Sequence, residues 1–111
     1  MPYLAPIPLD LLPDSMAVHQ PDTTANYGGK FLDPVTVTHV RYERAETLNA
    51  DTIKLAGGAS GRIWVDAANS SGAFRIPVGS KIVLDGETLH VVSCAEYRPY
   101  GPVHHWELDV K

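Results

Sequence analysis

The residues most able to do chemistry in this chain are its five histidines. His104 and His105 are adjacent in a run that reads as the last strand. Neighbours in a strand point to opposite faces, so adjacency alone does not make a chelate. His19, His39 and His90 fall in other stretches. Imidazole combined with the carboxylate of Glu107 or Asp109 would suit zinc. The simpler reading satisfies one histidine of the pair in the sheet and leaves the other solvated. Paired carboxylates come next, at Glu43 and Glu46 and at Glu107 and Asp109. Such pairs do acid–base work when their surroundings separate their pKa values. Glu107 and Asp109 lie two apart on one strand face, opposite Trp106, Leu108 and Val110, and a solvated face explains them. Ser93 and Cys94 lack the activating context of a nucleophile. No G-x-S-x-G elbow, phosphate loop or H-E-x-x-H is present. The glycine-rich stretch at residues 57–61 lacks a phosphate-binding lysine and reads as linker. Trp64 and Trp106 could stack on single-stranded bases, but strand tryptophans more often fill a core. The expectation is no catalytic residue, no metal and no cofactor.

Side chains act only where a fold places them, and composition bounds that fold. With 111 residues the chain makes one domain. A hydrophobic fraction of 44% with 20% charged residues places it among globular proteins. The net charge of −4 is far from the basic footprint of a phosphate-gripping protein. The single cysteine, Cys94, closes no intrachain disulfide, which suits a reducing compartment. The opening residues, broken by Pro2, Pro6 and Pro8, have no basic start and no continuous apolar run, so no signal peptide is expected. No stretch approaches the ~18 apolar residues of a membrane span.

Along the chain, residues 1–14 read as an extended proline-rich arm. Its apolar side chains Tyr3, Leu4, Ile7, Leu9, Leu11 and Leu12 must pack either on their own barrel or on a neighbouring subunit. Residues 15–111 read as a single domain, with strands expected at 15–20, 35–43, 62–66, 81–84, 88–97 and 103–110. Asp85-Gly86 between apolar β-formers is the clearest hairpin signal. Residues 44–61 read as a long mobile excursion between two strands. The fold class is mostly β: a small antiparallel barrel or sandwich of about six strands.

The stretches Val35-Thr36-Val37-Thr38-His39-Val40-Arg41, Ile63-Trp64-Val65-Asp66-Ala67-Ala68-Asn69-Ser70, the hairpin from Val78 to Val92, and His104-His105-Trp106-Glu107-Leu108 together resemble the minor capsid proteins of tailed phages and prophages of Gram-positive bacteria. The opening Ile7-Pro8-Leu9-Asp10-Leu11-Leu12-Pro13 looks like that family's start. The family is in turn similar to the head-completion, or stopper, proteins of the head–tail connector. Those are small β-barrels that form a ring under the portal and adaptor and close the DNA channel.

The resemblance implies a structural virion protein, made in the host cytoplasm, that self-associates into a ring. The portal and adaptor would lie above it and the tail terminator or tail below. Duplex DNA would pass without sequence-specific contact, and no membrane is involved. In stoppers a long inter-strand loop reaches into the channel. The positions that match here are Ala45, Glu46, Thr47, Leu48, Asn49, Ala50, Asp51, Thr52, Ile53, Lys54, Leu55, Ala56, Gly57 and Gly58. The arm and unpaired barrel edges would supply subunit contacts. The rival readings are a small-barrel adaptor or binding module elsewhere in the capsid or tail, and a metal-binding protein or enzyme built on the histidines.

Overall fold

Alternation of branched apolar with polar residues forms strands that bury one face, and six such strands close on themselves here. The computed structural model describes residues 4–23, 30–45 and 55–111. The strands are β1 (Asp14–His19), β2 (Val35–Arg44), β3 (Gly61–Asp66), β4 (Lys81–Leu84), β5 (Glu87–Tyr97) and β6 (His105–Val110). They form a closed antiparallel barrel in the order β1-β2-β3-β6-β5-β4, with β4 returning to β1. The inward set includes Met16, Val18, Val37, Val40, Ile63, Val65, Ile82, Leu84, Leu89, Val91, Leu108 and Val110. Each such aliphatic side chain contributes about 1.5–3 kcal/mol by leaving water. A barrel this narrow is filled by its own side chains.

Closure overturns one expectation. Each of the six strands has two hydrogen-bonded neighbours, so the barrel does not offer an unpaired edge strand for subunit contacts. The two long strands make closure possible. β2 pairs with β1 through Val35–Thr38 and again at Val40, and with β3 through Val40–Arg44. β5 pairs with β4 up to His90 and with β6 from Val91 onward. Each changes partner next to a register shift, where an extra residue bends the strand.

The bend in β2 is His39, which sits at φ 58°, unusual for a residue with a side chain. Ser70 Oγ donates to the His39 carbonyl, and Thr38 and Ser71 exchange two backbone bonds of 3.1 Å. The β3–β4 connection is thereby pinned to the corner. At Gly72 (φ 80°) a Cβ would come within 2.8 Å of the Thr36 carbonyl, so only glycine fits. Asp85 (φ 50°) and Gly86 (φ 78°) make the β4–β5 turn, with both central residues left-handed as a tight hairpin requires.

Candidate functional site

Two segments were expected to carry function. The first is the arm, described from Leu4 onward; Tyr3 lies outside the described residues. It packs on its own barrel. His104 Nε2 is 2.7 Å from the Ala5 carbonyl. The Ile7 N–H donates to Asp66 Oδ1 at 3.0 Å, and Asn69 Nδ2 donates to the Ile7 carbonyl at 2.8 Å. Arg41 donates to the Leu11 carbonyl at 3.3 Å. Leu12 is buried. The arm is not extended throughout: Leu9–Leu11 form one 3-10 turn, closed by Leu11 N–H to the Pro8 carbonyl at 2.9 Å.

Asp66 is the hub of this end. It is fully buried, and its carboxylate accepts the N–H groups of Ile7, Ala68 and Asn69. An aspartate ending a strand commonly folds back on the amides two and three residues on. Here it also holds a segment 59 residues earlier in the chain. The sequence signal was its place at the end of Arg62-Ile63-Trp64-Val65-Asp66, before Ala67-Ala68-Asn69.

The arm runs between two hollows. One, of about 440 Å³, is lined by Leu4 and Pro6 on the arm side and by Pro99, Tyr100, Pro102 and His104 opposite. The other, of about 490 Å³, is lined by Ile7, Leu11 and Leu12 against Arg41, Trp64 and His105. Leu4, Leu9 and Leu11 stay 42%, 51% and 49% exposed even with the arm docked. Tyr97 and Tyr100, also exposed, lie at the same end.

The second segment is the inter-strand loop. Residues 46–54 lie outside the described residues, so the candidate positions Glu46 to Lys54 have no structural account. Ala45 and residues 55–60 are described, and they are tied down. Ala45 N–H donates to the Ser60 carbonyl at 2.7 Å, and Ser60 N–H to the Val110 carbonyl at 2.6 Å. Ala56 N–H donates to Asp109 Oδ2 at 2.8 Å. The glycine-rich stretch is thus bonded at Ala56 and Ser60. Its bonds go to β6, which the run of glycines does not reveal.

Asp109 also differs from expectation. It is buried rather than on a solvated face, because Arg62 and residues 55–60 cover β6 there. Arg62 Nε donates to Asp109 Oδ1 at 2.7 Å, and Arg62 also reaches Glu107 at 3.2 Å. The bond to Asp109 holds the Arg62 pKa above its ordinary value, against the opposing effect of burial.

The histidine pair departs from the strand rule. β6 begins at His105, and His104 lies outside it, at a bend closed by its N–H to the Tyr97 carbonyl at 2.8 Å. Alternation does not apply across that boundary, and the two Nδ1 atoms stand 2.8 Å apart. His105 Nε2 is 2.8 Å from Glu107 Oε2. The other histidines do not join them: His19 contacts the Leu32 carbonyl, His39 is the β2 corner and His90 lies beside Phe31. Among the described residues no three His, Cys, Asp or Glu side chains converge as a metal site.

The other candidates resolve into packing. Trp106 is in the core; Trp64 lines the hollow beneath the arm. Cys94 packs partly against the core, and burial pushes its thiol pKa up, away from the reactive thiolate. Glu96 is held by Arg98 and Arg75, with a lesser contribution from Trp106, and its carboxyl falls to about 2. Among the described residues no helix is long and apolar enough to cross a membrane.

A family model described as minor capsid protein matches residues 8–110. No curated protein and no solved structure matches the chain.

Proposed function

Because the chain belongs to the minor capsid protein family, we propose that this virion component works at the head–tail junction, as a stopper-like ring subunit that closes the DNA channel and joins head to tail. The observation that carries this reading is the family match across residues 8–110. The small closed barrel with a long β2–β3 connection is the architecture the resemblance to stoppers implies. In this reading the protein has no catalytic residue and no cofactor. Its partners are the portal and adaptor above and the tail terminator or tail below.

The contacts for such a ring would come from the leucines and tyrosines left exposed at the arm end, since closure removes the strand edges. Exposed apolar groups clustered at one end of a small domain suit a protein interface. The net charge of −4 suits a channel that lets duplex DNA slide, because each lysine or arginine on a phosphate would tighten the grip. One observation favours the second reading, a barrel module elsewhere in the capsid or tail. The arm is docked on its own barrel, as a self-contained module would keep it.

The test is electron microscopy of the purified protein mixed with the portal and adaptor encoded beside it. A ring stacked under the portal is the expected result. No association at micromolar concentration would move the assignment to the second reading.

A further inference from the structure

The contacts of His104 and His105 can be counted in protons. His104 Nε2 meets the Ala5 carbonyl at 2.7 Å, the two Nδ1 atoms meet at 2.8 Å, and His105 Nε2 meets Glu107 Oε2 at 2.8 Å. The two ends of this chain are a carbonyl and a carboxylate oxygen, and a carbonyl only accepts. The second carboxylate oxygen of Glu107 already faces the Arg62 guanidinium at 3.2 Å. Three hydrogen bonds between two acceptor ends need three N–H protons. Two neutral imidazoles bring two.

From this inventory, independent of the role proposed above, we propose that the His104–His105 pair is a proton-dependent latch on the N-terminal arm: the arm is fastened at Ala5 while the two rings share a third proton, and unfastened there when that proton leaves. With two protons one contact must open. The link to Ala5 is the solvent-exposed one, whereas the other two are partly buried, so water replaces it first. A fourth proton would instead set two N–H groups against each other between the rings, and leaves the Ala5 bond in place.

The titratable and charged groups around the pair are Glu107, Tyr97, Tyr100, Arg62, Arg41 and Asp66. Tyr97 of β5 packs its ring 5.0 Å from His105 and edge-on to His104. Arg62 of β3 is engaged by Asp109 and Glu107. Arg41 of β2, which lines the same hollow as His105, is paired with Glu43. Asp66, lining the other hollow with His104, spends its oxygens on three backbone N–H groups. The latch therefore opens as pH rises and the third proton leaves.

The experiment measures amide exchange of Ile7, corrected for intrinsic rates, from about pH 5.5 to about pH 8 in the intact protein, with the Leu108 core amide as reference. Ile7 protection is expected to fall about tenfold relative to Leu108 as pH rises, the scale of one charge-assisted hydrogen bond. In His104→Gln, whose amide donates to Ala5 without titrating, the profile should be flat. A flat profile in the unmodified protein, or the same slope in the variant, overturns the latch. If His104→Gln does not fold, nitrogen-15 spectra of the two rings in the unmodified protein decide. Three N–H protons on the pair at the acid end support the proposal, and two overturn it.

Discussion

The arm and the loop return both lie against the outside of one barrel, and they are held by different chemistry. Residues 55–60 are fixed by a carboxylate that also holds a guanidinium, Asp109 on Arg62, both largely buried. The arm is fixed by backbone groups, an asparagine, the carboxylate of Asp66, the Arg41 guanidinium on the Leu11 carbonyl and an imidazole. A segment tied by a desolvated ion pair has one favourable position. A segment tied by several exposed or titratable bonds can be released in steps. The loop base thus rests on one buried ion pair, while the arm rests on several separate bonds.

The largest effect should come from breaking the footing. Asp109→Ala leaves Arg62 largely buried without its best partner and strips the acceptor from Ala56 N–H. A cost of about 3 kcal/mol in urea unfolding is expected, the scale for removing one member of a buried pair. Exchange should accelerate at Ala56 while arm amides keep their protection. If arm and loop loosen together, the contrast between the two fails.

Asp66→Ala is the matching cut at the other end. It leaves Ile7, Ala68 and Asn69 N–H groups without their acceptor, at about 2 kcal/mol, less than their summed desolvation because the arm can move out to water. The arm should become sensitive to limited proteolysis between Leu4 and Pro13. An arm that stays protected in this variant would mean that Leu12 in its buried seat is enough, and the stepwise picture would be wrong.

A third measurement sharpens the contrast through pH. Glu96 links Arg98 and Arg75 beside the arm end, and its carboxyl lies at about 2, below the ordinary 4.5. A depressed carboxyl contributes stability that is complete above its unfolded value and lost as pH falls toward the folded one. Thermal stability should therefore drop between about pH 4.5 and about 2, and Glu96→Gln should flatten that slope. An unchanged slope would place the acid sensitivity elsewhere. This loss lies on the acid side, whereas the histidine latch opens on the other, so the two are separable in one titration.

What the sequence disclosed follows the same division. Period-two runs such as Val35-Thr36-Val37-Thr38 and the Asp85-Gly86 turn are local signals, and strand positions and the barrel class were legible from them. The family was legible too, through the order of those runs together with His104-His105-Trp106-Glu107-Leu108. The long-range bonds were not. Nothing near Asp66 in the chain announces Ile7, and nothing near Gly57 announces Asp109. The contact of the two histidines escaped for a related reason. Alternation holds inside a strand, and the strand begins two residues later than its pattern suggests.

The smallest expected effect is a gain at the corner on which the arm end rests. Asp66 and Ser70 share a turn, Ser70 Oγ bonds both to Asp66 N–H and to the His39 carbonyl, and His39 holds a left-handed backbone. Asp85 is the other non-glycine residue with positive φ among those described, and it sits in a hairpin turn where that conformation is ordinary. His39 is instead in mid-strand, where it lets β2 leave β1 and join β3. Glycine there removes the steric cost of the side chain but adds freedom to the unfolded chain, so His39→Gly should gain no more than about 1 kcal/mol. His39→Val, with a branched Cβ, should lose about 2 kcal/mol. Denaturant midpoints of the two variants with unchanged slopes would measure the strain at this corner. A gain in His39→Gly that left arm exchange untouched would show the corner and the arm to be energetically separate, and would narrow the release of the arm to its own bonds at Ala5, Ile7 and Leu11.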